Sequence, residues 1–259
     1  MGVDMQRASG AVLLRFGTGA RANALSADVR GALLDALRQI AADPTARALL
    51  IQGHDENFSA GQDLKEHQVV LAAGGGDAVA GLVTEEFSAL AAALDGLAVP
   101  TVAAIHGVAA GAGLGLALAC DLRLAARSAR FTTAFVGVGL APDTGVSANL
   151  VKAVGHSRAV DLLMRPRIVD ADEALLIGLV HEVHNDDALD ARAREVVSEL
   201  AAGPTVAYAQ VKACLDTSDD LTAALAREAE AQRAAASTSD HAEAVEAFVN
   251  QRAPKFTGH

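Results

Sequence analysis

The 25 residues from Gly96 to Cys120, GLAVPTVAAIHGVAAGAGLGLALAC, contain no carboxylate, lysine or arginine. A run this long and apolar has to be removed from water, either in lipid or in a protein core. Pro100, Thr101 and His106 lie in its first half, and Gly107, Gly111, Gly113 and Gly115 interrupt its middle. A lipid-exposed helix is poorly served by so many breakers, and the chain has no second segment of this kind. The pattern predicts a buried strand over 101–105, a glycine-rich turn, and a buried helix beginning near Ala112.

Strand and helix patterns alternate on both sides of this unit. Residues 11–16 (AVLLRF) and 48–52 (ALLIQ) read as strands. Between them Ser26 is a candidate N-cap for a helix to about residue 42, with Val29, Leu33, Leu34, Leu37 and Ile40 on one face. Residues 65–83 carry Gly74-Gly75-Gly76 and no firm periodicity, which predicts a mobile loop. A helix is expected over 85–97, strands over 121–125 and 129–132, helices from about 144, and a short strand near 179–183. After Gly203-Pro204 the pattern is helical to Asn250. This is an α/β chain with a helical tail. The expected division is a core over 1–200 and a C-terminal helical region over 201–259.

At 259 residues the chain is long enough to bury a large core. Its charge, 21 − 32 = −11 with histidines neutral, repels polyanions, so nucleic acid and anionic membrane are not expected partners. With 3% aromatic residues it offers little surface for stacking bases. Cys120 and Cys214 cannot make a disulfide framework or a four-cysteine zinc site, so no metal is expected. The opening MGVDMQRASG has no apolar segment resembling a signal peptide, and a soluble, cytoplasmic protein is the expectation.

Three short segments carry possible chemistry. The run Gly111-Ala112-Gly113-Leu114-Gly115 misses the dinucleotide fingerprint: its third glycine comes one residue early, and no carboxylate stands about 20 residues beyond. A small-residue turn before a helix can still offer N–H groups to an oxyanion, or the glycines can simply permit close packing. Phe58-Ser59-Ala60-Gly61-Gln62-Asp63-Leu64 is a second such turn after a buried strand. Two turns, each giving one N–H to a single carbonyl oxygen, are what acyl chemistry through an enolate requires. The enolate also needs a base. Between Asp121 and Asp161 the lone carboxylate is Asp143, in Leu140-Ala141-Pro142-Asp143-Thr144-Gly145. Apolar surroundings would raise its pKa and suit it to proton transfer, while the plainer alternative is an Asp capping the helix that starts near Val146. His181-Glu182-Val183-His184 lacks the H-E-x-x-H spacing and reads as a solvated strand edge.

Asn23-Ala24-Leu25-Ser26, Phe58-Ser59-Ala60-Gly61-Gln62-Asp63-Leu64-Lys65-Glu66, Pro100-Thr101-Val102-Ala103-Ala104-Ile105-His106-Gly107, the glycine run and Cys120-Asp121 together resemble the enoyl-CoA hydratase/isomerase (crotonase) superfamily. The resemblance extends from about residue 8 to Pro254-Lys255-Phe256-Thr257-Gly258. It implies a spiral of ββα turns with a C-terminal helical trimerisation region, a homotrimer or dimer of trimers, and an acyl-CoA substrate, coenzyme A entering as part of that substrate. It also implies that the thioester carbonyl sits between the N–H groups of Ala60 and Ala112. Ala22, Ala24 and the loop Ala60, Gly61, Gln62, Asp63 and Leu64 would lie along CoA. Lys255 and Phe256 match C-terminal residues that touch CoA, sometimes from a neighbouring subunit.

The departures from the family pattern bear on the reaction. The two glutamates of the hydratases fall here on Gly115 and Phe135, neither of which can move a proton. The run from Ala134 to Ser147 resembles instead the isomerase branch typified by 1,2-epoxyphenylacetyl-CoA isomerase, in which an Asp of this turn is the acid/base. That resemblance implies double-bond migration or epoxide-ring rearrangement with Asp143 moving the proton. The alternatives are an enoyl-CoA hydratase, a hydrolase like the 4-chlorobenzoyl-CoA dehalogenases, and an acyl-CoA-binding member without catalysis. The dehalogenases rely on a Trp, and this chain has none.

Overall fold

A computed structural model describes residues 2–18, 22–215 and 220–259. The chain opens with β1 (Val3–Ala8) and β2 (Ala11–Phe16), an antiparallel hairpin turned at Ser9 and Gly10, both with positive φ. There follow α1 (Ala27–Ala42), β3 (Ala48–Gly53), α2 (Leu64–Leu82), a π-helical turn over Val83–Phe87 and α3 (Ser88–Asp95). The uncharged run then forms β4 (Thr101–Ile105), β5 (Val108–Ala110) and α4 (Ala112–Leu118). Next come β6 (Leu122–Ala126), β7 (Arg130–Thr132), a 3-10 turn over Phe135–Val138, α5 (Val146–Val154) and α6 (His156–Met164). β8 (Val169–Asp170), α7 (Ala171–Leu176), β9 (Glu182–His184) and α8 (Leu189–Ala202) complete the sheets and their cover, and α9 (Thr205–Cys214), α10 (Leu221–Ala236) and α11 (Ser239–Val249) form the tail.

The main sheet has the order β1-β2-β3-β4-β6-β9, parallel from β2 to β9, and β5-β7-β8 form a second, smaller sheet. Its central strands are buried on both faces, which is why they read as unbroken apolar runs rather than alternating ones. Leu49, Ile51, Ala103 and Ile105 point into the larger core with α1 and α3. Leu50, Val102 and Ala104 point the other way, against Leu189, Ala193, Val196, Val197 and Ala201 of α8. Truncating a fully buried side chain such as Leu50 or Ile51 to Ala would cost about 2–5 kcal/mol.

The uncharged run is thus protein core, and among the described residues no helix is long and apolar enough to cross a membrane. Residues 65–83 correct the expected loop: they are helical on both sides of a break at Gly74 (φ −153°, ψ 16°) and Gly75 (φ 60°, ψ −146°). None of the α2 side chains is fully buried, so this helix has no apolar stripe for a sequence pattern to reveal. The strand expected near 179–183 lies at 182–184, where it forms the edge of the main sheet. β1 was not evident in the sequence because, as an outer strand, it exposes most of its side chains. α8 runs past the expected division at residue 200 to Ala202, and the chain turns at Gly203-Pro204. The Asp121 carboxylate joins tail to core: it accepts from the Thr101 N–H and hydroxyl (2.7 and 2.8 Å) and from Lys212 Nζ of α9 (2.9 Å).

Candidate active site

The two small-residue turns meet because nothing larger than glycine fits between them. The first is tied to β5: Phe58 N–H donates to the His106 carbonyl, Ser59 N–H to Val108, and Ala110 N–H to Ser59 (2.8, 2.9 and 2.9 Å). Buried Asn23 supports it from below, its Nδ2 donating to the His54 and Asn57 carbonyls (2.5 and 2.7 Å), while the Ser59 hydroxyl donates to the Asn23 carbonyl (2.8 Å). A Cβ on Gly61 would stand 2.6 Å from the Ala110 oxygen, and one on Gly113 2.5 Å from the Ser59 oxygen. Such distances are below any ordinary contact, so these glycines bring the 60–62 backbone against the start of α4. Gly111, the residue before α4, has φ 51°.

A third segment closes the site. Beyond the 3-10 turn, Thr144 (φ 51°) and Gly145 (φ 73°) reverse the chain into α5. A Cβ on Gly115 would lie 2.8 Å from both the Thr144 carbonyl oxygen and the Thr144 Cβ. The absence of a side chain at 115 therefore lets this turn sit on α4, with Asp143 next to it. The cap of α5 is Gly145, with no side-chain cap. The Asp143 carboxylate instead accepts from the Thr144 hydroxyl (2.6 Å), so the helix-capping alternative does not hold.

These segments enclose a cavity of about 110 Å³ lined by Ala60, Gln62, Leu64, Gly111, Ala112, Ala134, Phe135, Val138, Leu140 and Asp143. Burial in this apolar setting raises the Asp143 pKa above its ordinary 3.8, opposed by the Thr144 hydrogen bond and by the charge of His67 on α2. Phe135 is a buried wall of the cavity.

Of the expected oxyanion donors one requires correction. The Ala60 N–H donates to the Ala22 carbonyl at 2.8 Å and is not free for a ligand. The N–H of Gln62, two residues on and also lining the cavity, has no acceptor among the described residues, and neither has that of Ala112 at the start of α4. The Gly61 conformation (φ 84°) separates the two fates, with the Gly61 carbonyl accepting from Leu25 N–H at 2.7 Å. No local pattern marks which of these N–H groups is consumed, because the acceptor comes from a distant stretch of chain.

Of the residues expected along CoA, Gln62, Leu64 and Ala60 line the cavity beside Asp143. Asp63 is the N-cap of α2, accepting from Lys65 N–H at 2.9 Å. Ala22 and Ala24 stand behind the turn rather than in the cavity. Lys255 lines a separate cleft with Glu243 and Arg252, its N–H on Glu243 (2.8 Å), and the Phe256 carbonyl accepts from Arg47 (3.3 Å). Within one chain the structure does not bring these two to the cavity. A larger hollow of about 690 Å³ lies between Asp121, α5 and α9, but Asp121 there is held by Thr101 and Lys212. Burial pushes the neighbouring Cys120 thiol up to about 12, so it is a protonated core side chain and not a nucleophile.

Residues 6–259 match the family model described as enoyl-CoA hydratase/isomerase. A 1,2-epoxyphenylacetyl-CoA isomerase from Escherichia coli is 34% identical over 252 residues, covering 96% of this chain and 95% of that protein. A Rhodobacter capsulatus protein carrying the name probable enoyl-CoA hydratase is 37% identical, covering 91% and 90%. A Mycobacterium abscessus crystal structure placed in the enoyl-CoA hydratase/isomerase group superposes with a TM-score of 0.96 at 38% identity over the full length of both chains. The alternation of strands and helices, the paired glycine turns and this full-length match lead to one conclusion: the chain belongs to the enoyl-CoA hydratase/isomerase (crotonase) family of acyl-CoA enzymes.

Proposed function

We propose that this protein is an acyl-CoA isomerase in which Asp143 moves the proton and the N–H groups of Gln62 and Ala112 hold the thioester oxygen. The observation that carries the reading is the pairing of one half-buried carboxylate of raised pKa with two unengaged N–H groups in a single apolar cavity. With a 3-enoyl-CoA, the Asp143 carboxylate takes a proton from C2, between the thioester and the double bond. The electron pair delocalises onto the thioester oxygen as a dienolate, which the two N–H groups stabilise. The Asp143 carboxyl then returns the same proton at C4, leaving the double bond between C2 and C3. No water is consumed, and one carboxyl serves both steps.

Hydration asks for more: a water must be activated and a proton delivered, usually by two carboxylates. Here position 115 has no room for a side chain beside Thr144, and position 135 is an apolar wall. The E. coli relative's name makes epoxide-ring rearrangement a second substrate class to test. In this reading Lys255 and Phe256 reach CoA from a neighbouring subunit. A homotrimer or dimer of trimers would cover the exposed Val211, Leu215, Leu225, Phe248 and Val249 of the tail, which we take as the oligomerisation region.

The test is an assay of purified wild type and Asp143→Asn with 3-enoyl-CoA, crotonyl-CoA and epoxyphenylacetyl-CoA. Wild-type turnover of the first or third, lost in Asp143→Asn, is expected. Rapid hydration of crotonyl-CoA would overturn the isomerase assignment, and tight acyl-CoA binding with no turnover would point to a binding protein.

A further inference from the structure

The cavity beside Asp143 is stopped inward and apolar outward. Its volume of about 110 Å³ is below the roughly 150 Å³ that holds one benzene ring in an apolar protein cavity. It has room for the reacting part of a 3-enoyl thioester, from the carbonyl to about C4, and little more. Growth inward is blocked by buried Phe135, whose ring atoms stand 3.9 Å from where a Cβ on Gly111 would lie. Outward, two of the lining side chains, Val138 and Leu64, are aliphatic and 55% exposed each. A single exposed apolar side chain is ordinary on a protein surface, but two bordering one cavity make an apolar mouth.

Backbone geometry holds both side chains at this mouth. Val138 ends the 3-10 turn, which Ala134 (φ 59°) opens and Gly139 (φ 75°) closes. A positive φ is unfavourable at an alanine and persists where the surroundings enforce it. The Gly139 N–H donates to the Val136 carbonyl (3.1 Å) and the Leu140 N–H to the Phe135 carbonyl (3.0 Å), which fixes the turn. Gly137 and Gly139 have nothing within 4 Å of a Cβ position, so among the described residues no element packs on the flanks of Val138. Leu64 is the first residue of α2, set by the Asp63 cap. Val138 belongs to the segment that carries Asp143, whose carboxyl acts on the acyl carbons. This edge of the cavity is therefore on the acyl side of the thioester, not the CoA side.

We propose that the substrate carries a straight acyl chain extending beyond C4, which leaves the cavity between Val138 and Leu64, and that these two residues set the chain-length preference. This rests on the isomerase reading of the cavity. The chain removes apolar surface of its own and of both side chains from water, so each added methylene strengthens binding until the chain passes the mouth. A substrate ending at C4 gains nothing from this edge.

The experiment measures kcat/KM with 3-butenoyl-, 3-hexenoyl- and 3-octenoyl-CoA for wild type, Val138→Ser and Leu64→Ser. Both positions are exposed, so folding is not at stake. Wild type is expected to gain about 4- to 15-fold for every two carbons added. In each variant the loss is expected to grow with chain length, smallest with 3-butenoyl-CoA and roughly 3- to 10-fold with 3-octenoyl-CoA. A wild-type kcat/KM that is flat or falls with length overturns the proposal. So does an equal loss at every length, which would place the two side chains on the pantetheine arm. Absence of turnover with all three substrates overturns the isomerase reading, and binding then decides the chain. Calorimetric Kd values for butanoyl-CoA and octanoyl-CoA should differ in wild type, with octanoyl-CoA tighter, and converge in Val138→Ser. Equal values in wild type, or an undiminished difference in Val138→Ser, overturn the proposal.

Discussion

Two groups of glycines in this chain do opposite things. Gly61, Gly113 and Gly115 stand where a Cβ would lie 2.5–2.8 Å from backbone oxygen atoms of a neighbouring segment. Gly75 and Gly76 in α2 have nothing within 4 Å of that position. The first group draws three turns together and assembles the cavity. In the second, Gly75 interrupts an exposed helix whose beginning forms part of the cavity wall, and Gly76 continues that helix beyond the break. Glycine content therefore says little; what matters is whether another backbone occupies the space a side chain would take.

The largest effect expected at the assembled site is on chemistry. Asp143→Asn should lower isomerase kcat about 10²- to 10⁴-fold with intact secondary structure, measured by steady-state assay and circular dichroism. Next in size is Gly115→Glu, which adds a carboxyl group on α4. It should not create a hydratase, because the new side chain meets the Thr144 backbone; a stability loss of about 1–3 kcal/mol in urea melts is expected, with loss of isomerase activity. Gly76→Ala tests the open group. Its backbone is helical and its surroundings empty, so it should stabilise the protein by about 0.4–1 kcal/mol in the same melts. Destabilisation by Gly76→Ala, or tolerance of Gly115→Glu, would break the contrast.

The smallest effect is a stability change with pH. The folded Asp143 carboxyl holds its proton more tightly than the unfolded one, whose pKa is near 3.8. Its contribution is therefore fully present below that value and is lost as pH rises through the folded pKa. Asp143→Asn avoids this loss and should melt slightly higher than wild type at pH 7, relative to the difference between the two at pH 4. Scanning calorimetry at the two pH values checks it.

Much of the sheet was legible in the sequence because its central strands are short apolar runs between turn residues, as at 101–105 and 48–53. α1 was legible from its buried stripe of Val29, Leu33, Leu37 and Ile40. α2 was not, since an exposed helix leaves no stripe. β5 was hidden in the glycine run, where three residues pair with β7 between two turns.

The sequence by itself determined the family, the two small-residue turns and the isolation of Asp143 in an apolar stretch, because each is carried by residue type and local spacing. Tertiary structure alone decided which N–H groups remain available. Ala60 and Gln62 are alike in sequence terms, both following a buried strand in a turn of small residues. Only the arrival of the Ala22 carbonyl takes the Ala60 N–H and leaves that of Gln62 unengaged, since a hydrogen bond between distant stretches of chain is fixed by where the fold carries them.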